Sequence, residues 1–190
     1  MRIIAGKFRS RPLRPLRDVE IRPTSDRLRE TLFNVLTAGN PQALEGSTWL
    51  DLFSGTGAIG IEALSRGAAM VYFVENAKPA ADLTRQNLQS LDIHGGFQIL
   101  QQETAKAISQ LARQQIKPDY IFLDPPYQSR EAYQQTLEKL GSLSERALVI
   151  AEHERKFDPG EKLGDLQRRR KLLQGDAGLS FYRRAADQTL

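Results

Sequence analysis

The 190-residue chain contains no cysteine, which excludes disulfide bonds and metal sites built on thiolate ligands. Histidine is scarce as well, because His94 and His153 are the only two and are not at metal-ligand spacing. We therefore expect no bound metal, and we expect both histidines at the surface or at strand ends. A chain without cysteine also suits a reducing compartment, so we expect a cytoplasmic protein.

Long apolar runs are missing too. No stretch approaches the ~18 apolar residues that mark a membrane-spanning helix, so no membrane partner is expected. The N-terminus Met1-Arg2-Ile3-Ile4-Ala5 lacks the apolar core and cleavage site of a signal peptide. With 40% hydrophobic residues, the chain can build a sizeable core in one domain with a small appendage.

What the sequence does have is the tetrapeptide Asp124-Pro125-Pro126-Tyr127, directly after the apolar residues 120–123. The prolines lack N–H groups and have a fixed φ, so the turn is stiff and its carbonyls are free to accept hydrogen bonds. Asp124 and a proline carbonyl can accept the two hydrogens of an exocyclic amine, while Tyr127 stacks on its ring. An ordinary Pro-Pro turn after a strand is the alternative, but the flanking acid and aromatic residue favour an acceptor site.

A glycine-rich turn lies upstream, between an apolar strand and a helix. Gly55, Gly57 and Gly60 match G-x-G-x-x-G, and Glu75 follows at the end of the next strand, as in dinucleotide-binding folds. Asp51 argues against NAD, because a carboxylate at the strand end would repel a pyrophosphate. It would attract the ammonium and sulfonium of S-adenosylmethionine, while Glu75 binds the ribose diol. A turn-stabilising Asp51 and a solvated Glu75 are the alternatives.

Positive charge gathers towards both ends of the chain, whose net charge is +4 and whose pI is near 9.5. The first 17 residues carry six cations and no acid, and we expect this polar stretch to contribute little to the core. Arg29 and the C-terminal residues 168–171 and 183–184 add to the charge. Such clusters can form one face for nucleic-acid phosphates, although a solvated surface is the alternative. The predicted RNA contacts are Arg2, Lys7, Arg9, Arg11, Arg22 and Arg27.

Hydrophobic periodicity predicts an α/β fold with a mostly parallel sheet and helices on both faces. Predicted strands are 48–53, 70–75, 97–102, 119–123 and 147–152, and predicted helices are 57–66, 77–91, 104–114 and 130–140. Residues 168–173 and 179–184 predict an antiparallel hairpin that closes the sheet with one antiparallel strand. Residues 2–17 predict a short hairpin or extended arm, followed by a helix capped by Thr24 or Ser25. We accordingly divide the chain into an N-terminal arm and helix, 1–40, and a catalytic domain, 41–190.

Ligands of open α/β sheets bind outside the carboxyl ends of the strands, near the switch in strand order. The acids Asp51, Glu75, Glu103 and Asp124 follow successive predicted strands, so the fold should gather them along one edge. Glu103 is either a contact of the adenine amino group or an ordinary loop acid. The predicted donor site comprises Asp51, Phe53, Ser54, Gly55, Thr56, Gly57, Glu75, Asn76, Glu103 and Thr104.

With these motifs in place, the chain resembles the RsmD-type methyltransferases, which modify a guanine N2 in bacterial small-subunit (16S) ribosomal RNA. The resemblance is carried by residues 1–6, 22–34, 50–67 and 124–127. The R-P-T-S-D-R-L-R-E wording of residues 22–30 is its most specific part, whereas the other motifs occur in many amino-methyltransferases. It implies a Rossmann-like class I methyltransferase fold, S-adenosylmethionine as cofactor and residues 124–127 as the catalytic acceptor site. Glu103 departs from the family, which often has Asn or Asp there.

The resemblance implies ribosomal RNA as partner, either free or within an assembling small subunit. Two other enzyme classes share the motifs. DNA adenine-N6 methyltransferases usually carry a sizeable target-recognition region, and only about 60 residues follow Asp124. Glutamine-N5 protein methyltransferases normally have Asn at that position and less need of an arginine arm. A nucleic-acid-binding module without activity is the third alternative, against which the intact glycines and acids argue.

Overall fold

A computed structural model of the chain describes residues 1–15, 25–125 and 130–185. Every predicted strand and helix agrees with an observed element to within two residues at each end. The helices are α1 (Asp26–Thr37), α2 (Ala58–Ser65), α3 (Lys78–Ser90), α4 (Thr104–Arg113) and α5 (Arg130–Lys139), with a 3₁₀ turn at Gly141–Ser144. The strands are β1 (Thr48–Leu52), β2 (Met70–Val74), β3 (Phe97–Leu100), β4 (Tyr120–Leu123), β5 (Leu148–Glu154), β6 (Lys162–Leu163), β7 (Leu166–Gln174) and β8 (Ala177–Arg184). Four residues with predicted roles lie outside the described residues: Arg22, Thr24, Pro126 and Tyr127.

The strands form one eight-stranded sheet in the order β3-β2-β1-β4-β5-β8-β7-β6. The first five strands pair in parallel, and β8, β7 and β6 follow in antiparallel pairing. This confirms the mostly parallel sheet with its C-terminal hairpin. The prediction of one antiparallel strand was wrong, because three strands pair in this way. Both arms of the hairpin join the sheet, and the two-residue β6 is too short to leave a pattern in the sequence. Strand order reverses between β1 and β4, which is where such folds bind ligands.

Two hydrophobic clusters cover the two faces of the sheet. The first contains side chains from α1, α2 and α3, such as Leu32, Ile61 and Leu88. The second contains side chains from α4 and α5, such as Ile108 and Leu137. Successive residues of a strand point to opposite faces, so strands covered on both sides are apolar throughout their length. Because of this burial on both faces, the parallel strands stand out in the sequence as short apolar runs.

Residues 1–15, called the N-terminal segment below, fold as a small loop closed by an antiparallel bridge between Arg2 and Pro12. Helix α1 follows later in the chain, and the hydroxyl of its N-cap Ser25 accepts a hydrogen bond from Leu28 N at 3.1 Å. This confirms the capping prediction at Ser25. The N-terminal helix therefore begins where its sequence signal lies.

The expectation that the N-terminal segment contributes little to the core was wrong. Ile3 and Leu13 are 1% and 3% exposed and belong to the first cluster. The backbone N–H groups of Ile4 and Ala5 donate to the buried carboxylate of Glu62 at 2.8 and 3.0 Å. Composition counts side chains only. It therefore does not reveal that backbone groups of this segment bind the rest of the fold.

Gly6 shows how closely this segment packs on α2. Its φ is +82°, and a Cβ at this position would lie 1.9 Å from the carbonyl oxygen of Ser65. The next residue, Lys7, donates its N–H to the same oxygen at 2.7 Å. Only glycine combines the left-handed backbone with this close approach.

Both histidines lie where the sequence predicted them, one at the surface and one at a strand end. His94 is exposed, but His153 is fully buried near the end of β5. One ring nitrogen of His153 lies 2.9 Å from Ser180 Oγ, and the other lies 2.8 Å from the Glu154 carbonyl. Burial lowers the pKa of His153, so the neutral ring is favoured and serves as a polar crosslink between β5 and β8.

Candidate active site at the carboxyl edge of the sheet

Four acids lie at the carboxyl ends of neighbouring parallel strands, as the sequence predicted for three of them. Asp51 belongs to β1, Glu75 follows β2, Asp124 follows β4, and Glu152 lies near the end of β5. Asp51 and Glu152 each follow a residue of the second cluster within their strand, so the alternation of strand side chains turns both towards the face of α1, α2 and α3. The N-terminal segment packs against that same face.

The glycine-rich turn, residues 54–57, connects β1 to α2 with unusual backbone angles and is called the donor loop below. Gly55 and Gly57 have φ values of 53° and 76°, in the left-handed region that glycine adopts without strain. Phe53 just before them has φ 64°, which is costly for an aromatic residue and is typically found at functional sites. The loop closes on itself through Gly57 N, which donates to the Ser54 carbonyl at 2.7 Å.

Side chains from β2 and α3 hold the donor loop in place. Glu75 Oε2 accepts a hydrogen bond from Gly55 N at 2.9 Å, and Thr84 Oγ1 donates to Gly55 O at 3.0 Å. Asn87 Nδ2 donates to Thr56 O at 3.0 Å. Glu75 is therefore fixed at the rim of the loop, and a carboxylate has enough lone pairs to accept ribose hydroxyls as well.

Asp51 lies beneath the donor loop and is 2% exposed. Its Oδ2 accepts a hydrogen bond from Gly60 N at 3.0 Å. Burial raises the pKa of Asp51 to about 8; the Gly60 N–H opposes this rise, and the charge of Glu75 adds to it. Within the described ranges no cation forms a salt bridge with Asp51, and a cationic ligand would supply a countercharge.

The donor loop also contains a polar group without a partner. Ser54 is 8% exposed, and its buried Oγ has no hydrogen-bond partner among the described residues. Buried hydroxyls almost always have a partner. Together with Asp51, Glu75 and the two left-handed glycines, this hydroxyl fits a small polar cation with a ribose, which is the chemistry of S-adenosylmethionine.

Asp124 and Glu152 are the acids at the predicted acceptor side. Leu123 of β4 pairs with Ala151 of β5, so the residues that follow them are neighbours on the same face. Burial raises the pKa of Asp124 well above its usual range, and the charges of Glu152 and Asp51 raise it further. Pro125 is buried beside it.

Sequence reasoning missed Glu152. The available signal was an acid directly after the apolar residues 148–151, the same pattern that marks Asp51 after its strand. Tyr133 of α5 donates its hydroxyl to the Glu152 backbone carbonyl. The end of β5 is thereby anchored to the helix that follows the acceptor turn.

The outer predicted donor residues lie at the same edge but are more open. Asn76 and Glu103 are exposed, and Thr104 is half-buried at the start of α4. Glu103 is the N-cap of α4 and its carbonyl accepts from Lys106 N and Ala107 N, both at 3.0 Å. Their contacts with the donor stay predictions.

The predicted RNA contacts differ in their freedom to bind a phosphate. Arg2, Lys7, Arg9 and Arg27 are exposed. Arg11 instead donates to the carbonyls of Ser90 and Leu91 at 2.6 and 3.3 Å, which caps the carboxyl end of α3. An RNA contact by Arg11 stays a prediction, beside this structural role.

Some of the basic residues counted with these clusters serve the fold. Arg29 is fully buried and donates to Arg2 O at 2.5 Å and to Asp26 Oδ1 at 2.8 Å, so it is no surface cation. At the C-terminal end, Arg168 and Lys171 both pair with Asp158.

Two further properties concern only the parts of the chain that the structure describes. Among residues 1–15, 25–125 and 130–185, no helix is long and apolar enough to cross a membrane. Within those same ranges, no group of three or more His, Asp or Glu side chains could hold a metal ion.

Comparison with known proteins places this architecture in a family. The family described as "Conserved hypothetical protein 95" matches residues 1–183. The Bacillus subtilis protein YlbH is 33% identical over 97% of this chain and 99% of its own length. "Ribosomal RNA small subunit methyltransferase D" of Escherichia coli is 32% identical over 98% of this chain and 91% of its own length.

The solved structures agree with this assignment. That of yhhF from Escherichia coli has a TM-score of 0.79 and 33% identity, covering 98% of this chain and 99% of that chain. The Thermus protein TTHA0928 has a TM-score of 0.77 and 25% identity, covering 95% and 98% of the two chains. The Rossmann-like methyltransferase fold is thus confirmed, and the chain belongs to the RsmD-type methyltransferase family.

Proposed function

We propose that this protein transfers a methyl group from S-adenosylmethionine to the exocyclic N2 of a guanine in small-subunit ribosomal RNA. The observation that carries the proposal is the convergence of Asp51, Glu75 and Asp124 at one edge of the sheet, around a loop that three side chains hold in place. Relatives named as small-subunit ribosomal RNA methyltransferases match nearly the whole chain, which supports the RNA substrate.

S-adenosylmethionine is the cofactor, and it supplies a methyl group already activated by its sulfonium. Glu75 would bind the ribose hydroxyls, and Asp51 would compensate the positive charge of the donor. Ser54 Oγ would find in the donor the partner that it lacks among the described residues. The glycines at 55 and 57 let the backbone approach the ligand without a Cβ in the way. The outer residues Asn76, Glu103 and Thr104 would complete the site.

On the acceptor side, Asp124 and the Pro125 carbonyl would accept the two hydrogens of the guanine amine. This amine is a poor nucleophile because its lone pair is delocalised into the ring. Two positioned acceptors would draw the nitrogen towards tetrahedral geometry and align its lone pair for attack. Because burial raises the pKa of Asp124, a proton released from the methylated nitrogen would be stable on this carboxyl.

The RNA would reach the site across the face that carries the N-terminal segment. Arg2, Lys7, Arg9 and Arg27 are exposed near this face and would contact phosphates. The target base must leave its stack to reach buried acceptors, and stacking on Tyr127 would offset part of that cost. Pro126 and Tyr127 complete the proposed acceptor turn.

The direct test incubates the protein with labelled S-adenosylmethionine and separate pools of unmodified ribosomal RNA, small ribosomal subunits, DNA and protein. We expect label in ribosomal RNA or in the small subunit, recovered as N2-methylguanosine after digestion. Label recovered as N6-methyladenine in DNA or as methylglutamine in protein would reject the proposed substrate. A protein with Asp124→Ala serves as the negative control.

A further inference from the structure

Asn87 of α3 connects the donor loop to the N-terminal segment. Its side chain is fully buried, and its Oδ1 accepts a hydrogen bond from Arg14 N at 2.8 Å. Its Nδ2 donates to Arg14 O at 3.2 Å and to Thr56 O at 3.0 Å. One amide group therefore binds the backbone of the segment on one side and the carbonyl of the donor loop on the other.

The segment is docked on the elements that frame the donor loop. Glu62 of α2, the helix that follows the loop, accepts from the N–H groups of Ile4 and Ala5. Ser65 of the same helix accepts from Phe8 N at 3.0 Å and donates to Ala5 O at 2.6 Å. A shift of the segment would therefore disturb α2 and α3 together, and through Asn87 it would reach the loop itself.

Thr84, one turn before Asn87 on α3, offers a natural comparison. Its Oγ1 donates to Gly55 O at 3.0 Å, so it supports the same loop. Its hydroxyl contacts the loop, whereas the Asn87 amide contacts both the loop and the segment. A comparison of variants at the two positions can therefore distinguish support of the loop from coupling between the loop and the segment.

We propose that Asn87 is a positioning residue through which RNA bound on the N-terminal segment and donor bound in the loop strengthen each other's binding. The inference rests on the proposed function, because it requires RNA to bind the exposed cations of the segment. RNA that holds the segment in its docked position would favour the Asn87 contacts and hence the ordered loop. By linkage, donor that orders the loop increases RNA affinity by the same factor.

The test measures this coupling directly. The dissociation constant of S-adenosylhomocysteine, which cannot transfer a methyl group, is measured by calorimetry with and without saturating unmodified small-subunit ribosomal RNA transcribed in vitro. For the wild type we expect RNA to tighten binding by about 5- to 50-fold, within the usual range of coupling between sites. For Asn87→Ala, we expect the ratio to fall to within about twofold of one.

Thr84→Val is the matched control, since it should weaken binding with and without RNA while leaving the ratio near the wild-type value. Equal ratios for the wild type and Asn87→Ala, or a wild-type ratio of one, would overturn the inference. If Asn87→Ala does not fold, Asn87→Leu keeps the volume of the side chain but removes all three hydrogen bonds, and the same ratio decides. A wild type that binds neither ribosomal RNA nor small subunits would instead reject the proposed function.

Discussion

The acids of this protein differ in the direction of their pKa shifts, according to whether they are buried or paired with cations at the surface. Asp51 is buried and Asp124 is half-buried in the candidate site, and the cost of removing their charge from water raises the pKa of each. Asp158 lies on the surface between Arg168 and Lys171, and hydrogen bonds from these cations lower its pKa. Acids with raised pKa values are typical of functional sites, so we expect Asp51 and Asp124 to be the reactive acids.

The acceptor role of Asp124 predicts a selective loss of activity. Asp124→Ala should lower the rate of methyl transfer by ~100-fold or more, because positioned contacts in the transition state have effects of this size. Donor affinity should stay near the wild-type value, since the lost contacts belong to the acceptor. Turnover and calorimetric donor binding should be measured on the same preparation. Retention of more than about a tenth of the wild-type rate would contradict this role.

Asp51 predicts a pH dependence of stability in the ligand-free protein. Its pKa is about 8 in the folded state and ~3.9 in an unfolded chain. Between these values the folded state binds more protons than the unfolded state, so the contribution of Asp51 to stability falls as pH rises through this window. Denaturant titrations from pH 5 to 8 should show this fall for the wild type and less of it for Asp51→Asn. Parallel curves for the two proteins would contradict the raised pKa.

Secondary-structure elements contribute to the site through contacts that link them to the donor loop. Helix α3 supports the loop with Thr84 and Asn87, while α2 holds the N-terminal segment with Glu62 and Ser65. The segment thus has a buried side that belongs to the fold and an exposed side that carries cations. Deleting it would remove both, so single surface substitutions are the informative way to test RNA binding.

The exposed side of the segment predicts a specific salt effect. Replacing Lys7 and Arg9 with glutamine should weaken RNA binding and make its salt dependence shallower, by roughly 0.7 to 0.9 in log–log slope for each lost phosphate contact. Both side chains are exposed, so thermal stability should change little. The measurement is RNA affinity at several salt concentrations.

A charge-matched control for this prediction replaces Arg113 and Lys139, which are exposed on α4 and α5 over the opposite face of the sheet. This control should keep the wild-type slope. If both double variants change the slope equally, net charge rather than a surface of the N-terminal segment governs RNA binding.

At the scale of the whole molecule, the N-terminal part and the sheet share one core. Ile3, Leu13 and Leu32 pack in the same cluster as Trp49 and Ile61. The boundary at residue 40 between an arm-and-helix region and a catalytic domain stays a prediction about function. In terms of folding, the shared cluster leaves no interface across which the two parts could separate easily.

This shared core predicts a single cooperative unfolding transition for the whole chain. Scanning calorimetry should give one peak whose calorimetric and van't Hoff enthalpies agree, as for a two-state domain. Fluorescence of Trp49, which lies within the shared cluster, should report the same midpoint. Two peaks, or a fluorescence midpoint that differs from the calorimetric one, would show that residues 1–40 unfold separately.

The sequence by itself determined the order of the elements and the place of the site. Parallel strands buried on both faces are continuous apolar runs. In the helices that cover them, apolar residues recur every three to four positions, so both kinds of element leave local patterns in the sequence. Asp51, Glu75 and Asp124 stand at the ends of such runs. A parallel sheet brings strand ends to one edge, so their convergence followed from topology alone.

Only the tertiary structure decided which charges serve the fold and which face a ligand. Arg11 and Arg29 look like Lys7 and Arg9 in sequence, yet the first caps α3 and the second is buried against Asp26. The crosslink from His153 to Ser180 and the contacts of Asn87 likewise gave no local signal, because these partners lie 27 to 73 residues away along the chain. Hydrogen bonds between distant backbone and side-chain atoms depend on packing geometry, which no short window of sequence contains.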